Sequence, residues 1–103
     1  MKENKDPVGY KAHIRSLSNA TDYDSYRLVL CQASMAYVKQ YYLYPNDPRI
    51  SDFIKLMQSD IGKAAQPNFL TDLQYSELSS SQTLTKMTTD AIKKLEHIKP
   101  LNL

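Results

Sequence analysis

Apolar residues recur along this 103-residue chain at intervals of three and four, and sustained apolar–polar alternation is absent from the sequence. The first spacing places side chains on one face of an α-helix, whereas alternation is the pattern of a half-buried strand. Glycine, which tight hairpin turns require, occurs only at Gly9 and Gly62. The pattern therefore predicts an all-α fold, and the length predicts a single domain over residues 1–103.

Two Asp-Pro pairs predict where helices begin. Aspartate caps the unpaired N–H groups of a first turn, and proline fits the first helical position because its missing N–H would have no partner there. Asp6-Pro7 therefore predicts a helix over about 7–19, and Asp47-Pro48 predicts one over about 48–65. The apolar residues of the later helix share one face, namely Ile50, Phe53, Ile54, Met57, Ile61 and Ala64.

The segment between these two helices has the strongest helical pattern, from a cap at Thr21 or Asp22 to about Tyr44. Its apolar residues form two stripes that together cover more than half of the circumference. They are Tyr23, Tyr26, Leu30, Ala33, Tyr37, Tyr41 and Tyr44, and then Leu28, Cys31, Met35, Val38 and Tyr42. A helix with so wide an apolar arc is usually central and contacts two or more neighbours.

The last third of the chain begins with a capping box, Thr71-x-x-Gln74, and ends at Pro100. Its later part is periodic at Leu84, Met87, Ala91, Leu95 and Ile98. The serine run at 79–81 favours a turn, since serine competes for backbone hydrogen bonds. The helix either breaks near Ser80 or continues with a bend, and we favour continuity. The fold class predicted is a small antiparallel four-helix bundle with up-down topology.

The charge balance and the single cysteine restrict the class of protein. Lys and Arg number 13 and Asp and Glu number 11, so a formal charge of +2 argues against a dedicated nucleic-acid binder. One cysteine, Cys31, allows no intramolecular disulfide and fits a reducing compartment. The first residues lack the apolar stretch of a signal peptide, and no run reaches the roughly 20 apolar residues of a membrane span. We expect a cytoplasmic protein without stable membrane insertion.

The side chains that could bind a metal or take part in catalysis do not form a recognisable motif. His13 and His97 lack the third and fourth ligands, at defined spacing, that a metal site needs. Cys31 lies in the middle of the most apolar segment, which predicts a packed core thiol. Asp22 and Asp24 lie at a helix start, where the helix dipole favours carboxylates. We therefore expect neither a metal nor a cofactor, and we expect no enzyme.

Tyrosines and lysines supply the candidates for binding a protein partner. Seven of the eight tyrosines lie within residues 10–44, and tyrosine suits either the margin of a core or a partner surface. The last helix is locally basic, which is typical of a solvated face. The alternative is attraction to an acidic partner or, in part, to the anionic inner face of the membrane. The candidate residues are Lys86, Lys93, Lys94, His97, Lys99, Tyr41 and Tyr44.

The segment from Ile50 to Leu84 resembles a known family. A helix carrying Ile54, Met57 and Ile61 leads into Ala64-Ala65, then the turn Asn68-Phe69-Leu70-Thr71, then the capping box. This order is similar to that of the immunity proteins of pediocin-like (class IIa) bacteriocins. The resemblance implies a cytosolic protein that protects a bacterium from a peptide targeting the mannose phosphotransferase permease. The partner implied is that permease with bound bacteriocin, and residues 71–103 correspond to the half implicated in selectivity.

Two other classes of function remain open from the residues. One is a small helical regulatory or adaptor protein that binds another protein. The other is a small helical enzyme of the chorismate-mutase type, which needs clustered Arg and Lys facing a core pocket. Arg27, inside the apolar arc of the second helix, is the single indication of such an enzyme.

Overall fold

The computed structural model of the protein describes residues 9–64 and 66–97, and in this part of the chain the regular structure is entirely helical. The helices pack into a small bundle, which confirms the all-α prediction. Five α-helices are joined by short connections, with a 3₁₀ turn at Ser16–Asn19 after the first. They are α1 (Tyr10–Arg15), α2 (Tyr23–Tyr41), α3 (Arg49–Lys63), α4 (Asp72–Leu78) and α5 (Ser81–His97).

The first helix is shorter than predicted. The Asp6-Pro7 start lies outside the described residues, and α1 gives way to the 3₁₀ turn after Arg15. Two serine hydroxyls donate to carbonyls of the preceding turn, Ser16 to Ala12 at 3.0 Å and Ser18 to Arg15 at 3.1 Å. Such local bonds compete with helix continuation.

The second helix starts where predicted and ends earlier in the chain than predicted. The carboxylate of Asp22 accepts the N–H of Ser25 at 2.8 Å, and this bond holds the pKa of Asp22 below its usual range. At the other end, Tyr42 adopts the left-handed conformation with φ 52° and ψ 50°. Its N–H and that of Leu43 both donate to the carbonyl of Val38, which closes the helix. The predicted extension to Tyr44 is therefore wrong.

The two apolar stripes of α2 have different environments. Of the first stripe, Tyr26, Leu30 and Ala33 are buried, and α2 packs against α1 on one side and α5 on another. The second stripe is mostly not core, because Leu28 is 57% exposed and Tyr42 is 76% exposed. The prediction of a central helix is confirmed by these contacts with two neighbours, although each stripe also has exposed members at its C-terminal end.

The third helix is anchored at its start by Asp47. The carboxylate of Asp47 accepts the backbone N–H of Arg49 at 3.0 Å and pairs with the Arg49 guanidinium at 2.7 Å. These bonds hold the pKa of the Asp47 carboxyl well below its usual range. Four predicted face residues are buried, namely Phe53, Ile54, Met57 and Ile61.

The capping box before α4 is confirmed, and the predicted continuity of the fourth helix is wrong. Thr71 Oγ1 accepts the N–H of Gln74, and Gln74 Oε1 accepts the N–H of Thr71, both at 3.0 Å. The helix then stops at Leu78. Ser79 Oγ donates to the carbonyl of Tyr75 at 2.9 Å, and Ser80 Oγ accepts the N–H of Thr83 at 3.1 Å, so Ser80 caps a new helix. The described part of the bundle thus has five α-helices where four were predicted.

An aromatic cluster joins α1, α2 and α3. The rings of Tyr37 and Phe53 stack with centroids 3.9 Å apart, and Tyr10 meets both rings edge-on at 5.4 Å. The core continues along α2 and α5 through Val38, Leu43, Ala91 and Ile92. This second cluster brings the C-terminal end of α2 beside the C-terminal half of α5.

The hydroxyl of one core tyrosine has no hydrogen-bond partner among residues 9–64 and 66–97. Tyr26 is 1% exposed, and its hydroxyl makes no hydrogen bond within the described residues. Its ring meets Phe69 edge-on with centroids 6.3 Å apart. Burial raises the pKa of Tyr26 to about 12.

Candidate functional site

An open groove of about 770 Å³ runs between α2 and α5, and α4 borders it. The wall from α2 consists of Tyr23, Arg27, Cys31 and Met35, spaced four residues apart and therefore aligned along one face. The wall from α5 extends from Gln82 to Lys94. Each wall spans twelve residue steps, which corresponds to about 18 Å of helix.

The floor of this groove is apolar. Leu78, Met87 and Ala91 line it and are buried, and Cys31 and Met35 are half-buried beside them. Cys31 was predicted to be a packed core residue. It does pack against the core, but it is only half-buried because it also lines the groove.

The rim of the groove is positively charged. Arg27 projects from α2, and Lys86, Lys93 and Lys94 project from α5, and all four are exposed. The carboxylates in the groove are Glu77 and Asp90, which leaves an excess of two positive charges. That excess equals the formal charge of the whole chain, so the basic character is concentrated here.

One lysine of the rim is paired within its own helix. Lys86 Nζ lies 3.4 Å from Asp90 Oδ2 in an i, i+4 pair, and both side chains are largely exposed. Exposed pairs of this kind contribute little to stability. Arg27, Lys93 and Lys94 have no ion-pair partner among residues 9–64 and 66–97.

The structure brings together three of the predicted binding residues, Lys86, Lys93 and Lys94, on the rim of this groove. His97 is the last residue of α5, and Lys99 lies outside the described residues. Their predicted role in binding stays a prediction.

The two predicted tyrosines lie elsewhere, at the C-terminal end of α2. Tyr41 is 45% exposed and contacts Tyr37 with ring centroids 4.5 Å apart. Tyr44 is 68% exposed, in the turn that leads to α3. Tyr41 borders a smaller depression of about 330 Å³ between α1 and α2, and neither tyrosine lines the basic groove.

Sequence reasoning missed the contribution of α2 to the groove. Arg27 had been the indication of a core-facing catalytic cluster, but it is exposed on the rim instead. Met35 belongs to a predicted core stripe and is only half-buried. The signal in the sequence was the four-residue spacing of Tyr23, Arg27, Cys31 and Met35, with a charged residue inside an otherwise apolar line.

Among the described residues, no three side chains of His, Cys, Asp or Glu are grouped so that they could hold a metal ion. Within the same part of the chain, no helix combines the length and the apolar character that crossing a bilayer requires.

Comparison of the chain with family models, curated proteins and solved structures finds no match.

Proposed function

We propose that this protein acts by binding another protein along the groove between α2 and α5. An apolar floor bordered by a polar, solvent-exposed rim is the usual anatomy of a protein interface. The observation that carries the proposal is the convergence of Arg27 from α2 with Lys86, Lys93 and Lys94 from α5 around one floor.

The shape of the groove supports a chain segment as its occupant rather than a small molecule. Small-molecule sites bury most of the ligand surface in a cleft or cavity. This groove is open along its length and is about as long as three helical turns. A segment of another protein that lies lengthwise along the groove fits such a surface.

Site-specific photocrosslinking in cells that express the gene tests this function. A photoreactive phenylalanine derivative replaces Gln82, which is exposed and lines the groove, or Ser59, which is exposed on α3 and does not line it. We expect a discrete crosslinked protein from position 82 and none from position 59. Identical products from both positions, or none from position 82, would contradict a partner in the groove.

Protection of a bacterium against a pediocin-like bacteriocin is the second candidate function. It is supported by the resemblance over residues 50–84, where α3, the following turn and the capping box occur in the order typical of that family. In this setting the protein is cytoplasmic, and its partner is the mannose phosphotransferase permease with bound bacteriocin.

Growth inhibition by a panel of class IIa peptides tests the second candidate. Sensitive cells that produce the protein in the cytoplasm should resist at least one peptide, and the double variant Lys93→Glu/Lys94→Glu should protect less. The matched control is Lys39→Glu/Lys55→Glu, which makes the same charge change at exposed lysines outside the groove. Absence of protection across a broad panel would remove this candidate and leave the binding function for other partners.

A further inference from the structure

We propose that the groove binds an amphipathic helix of about three turns whose apolar stripe is flanked by acidic residues. This inference rests on the protein-binding function proposed above, and it specifies the chemistry of the partner.

The dimensions of the groove set the length of the partner segment. The walls from residues 23–35 and residues 82–94 are each about 18 Å long, which matches about twelve residues of a third helix. Helix-in-groove recognition uses apolar anchors at i, i+3, i+4 and i+7, and this length accommodates one such set.

The floor of the groove provides the surface for those anchors. Met35 of α2 and Met87 of α5 both contribute to it, and methionine adapts its shape to irregular apolar partners. Ala91 lies near them with its small side chain, which lets another helix approach closely. These side chains suit branched or aromatic anchors that enter between α2 and α5.

The charges on the two walls select acidic flanks on the partner. Arg27 stands on the α2 wall, and Lys93 and Lys94 stand on the α5 wall, so a bound helix meets cations along both of its sides. The end near α4 also carries Glu77, whereas Lys93 and Lys94 lie toward the far end. We therefore place most of the partner's acidic residues opposite Lys93 and Lys94.

The same features favour a protein segment over a phosphate-rich partner. Nucleic acid is bound mainly through phosphates, which cations attract and carboxylates repel. Here Glu77 and Asp90 stand among the cations, and the floor offers apolar contacts that a phosphate backbone does not use. Anionic vesicles and duplex DNA are therefore comparison ligands in the test.

The test is titration of the full-length, isotopically labelled chain with synthetic peptides followed by NMR. The probe is a lactam-bridged peptide of about three turns, because unconstrained helices of that length are marginal in water. It carries leucines at spacings of three and four with glutamates beside them. A second peptide has lysine in place of each glutamate.

We expect the acidic peptide to shift amide signals of residues on both groove walls and the basic peptide to shift none of them. Lys93→Glu/Lys94→Glu should weaken binding by about tenfold or more, because like charges across an interface oppose association. The control Lys39→Glu/Lys55→Glu should bind as the wild type does. Circular dichroism of each variant verifies that the helical fold is retained.

Equal binding of the two peptides, shifts confined to residues outside the groove, or indifference to the groove substitutions would overturn the proposal. So would groove-dependent binding of anionic phospholipid vesicles or duplex DNA in the absence of peptide binding. If the acidic peptide fails while position 82 still captures a partner in cells, the binding function stands and the partner chemistry is wrong. If both experiments fail, both proposals are wrong.

Discussion

The hydroxyl of Tyr10 donates a 2.7 Å hydrogen bond to Oδ2 of Asp60, fifty residues later in the chain. Burial and this carboxylate raise the pKa of Tyr10 far above its ordinary value. The bond joins α1 to α3. Since α1 has only six residues, tertiary contacts of this kind must supply most of its stability.

Replacing Tyr10 by phenylalanine tests the contribution of this bond. Tyr10→Phe keeps the ring contacts with Tyr37 and Phe53 and removes only the donor. Hydrogen bonds to charged groups are worth about 1.5–3 kcal/mol, so we expect the free energy of unfolding to fall by roughly that amount. Urea denaturation measures the change, and a variant as stable as the wild type would show that the bond contributes nothing.

Tyr26 allows the converse test, in which the substitution removes a hydroxyl that makes no hydrogen bond within the described residues. Its buried hydroxyl has no hydrogen-bond partner among the described residues, so Tyr26→Phe removes an uncompensated polar group from the core. We expect unchanged or increased stability in the same urea experiment. A loss of more than about 1 kcal/mol, the usual net value of a hydrogen bond, would mean that this hydroxyl has a partner after all.

Alkaline pH should destabilise the protein. Burial raises the pKa of Tyr10, Tyr26, Tyr37 and Tyr75, so the folded state favours neutral phenols. Their stabilising contribution is complete below the unfolded pKa of 10.0. Above that pH the unfolded chain releases protons that the folded chain keeps, and the free energy of unfolding falls by about 1.4 kcal/mol per pH unit for each fully protected tyrosine.

Urea denaturation from pH 8 to pH 11, with tyrosinate absorbance recorded in parallel, measures this dependence. Tyr26→Phe should show a shallower decline above pH 10 than the wild type, because one protected phenol is gone. Stability that stays constant from pH 9 to pH 11 would contradict the burial of these hydroxyls.

Leu30 and Gln32 distinguish the two faces of α2. Leu30 is fully buried, whereas Gln32 is exposed two residues later. Leu30→Ala should cost about 2–5 kcal/mol through lost burial and a residual cavity, while Gln32→Ala should change stability by less than about 0.5 kcal/mol. Thermal and urea unfolding compare the two, and equal effects would mean that the helix faces are assigned wrongly.

The left-handed conformation of Tyr42 makes a further substitution informative. The left-handed conformation costs a residue with a Cβ about 1–2 kcal/mol. Tyr42 is mostly exposed, so replacing it removes little packing. Tyr42→Gly should therefore increase stability by roughly 0.5–1 kcal/mol, after the greater chain entropy of glycine is counted. Tyr41→Gly, at the last helical residue, is the control and should reduce stability. A loss at both positions would argue against the left-handed end of α2.

The starts of α2, α3 and α4 could be predicted from the sequence because capping is local. The bonds of Asp22 and of the Thr71–Gln74 box lie within four residues of chain, so the residue types alone specify them. The ends could not. The turn at Tyr42 has no glycine to signal it, and the break at Ser80 depends on which backbone groups the serine hydroxyls bind.

The candidate site was predictable in part for a similar reason. Lys86, Lys93 and Lys94 lie on one helix, so their common face follows from spacing. Arg27 joins them only because α2 packs against α5. No pattern within either helix predicts that the two helices are in contact. The exposure of Leu28 has the same origin, since periodicity marks an apolar stripe without stating which stripe meets another helix.

The walls of the groove come from helices separated by α3 and α4, so the groove exists only in the assembled bundle. Whatever occupies it binds the folded chain and has no equivalent site on the unfolded one. Binding therefore stabilises the folded state. It adds about 2.7 kcal/mol to the free energy of unfolding when the free partner is at a hundred times its Kd. In a cell that degrades loosely folded chains, the abundance of this protein would then follow the abundance of its partner.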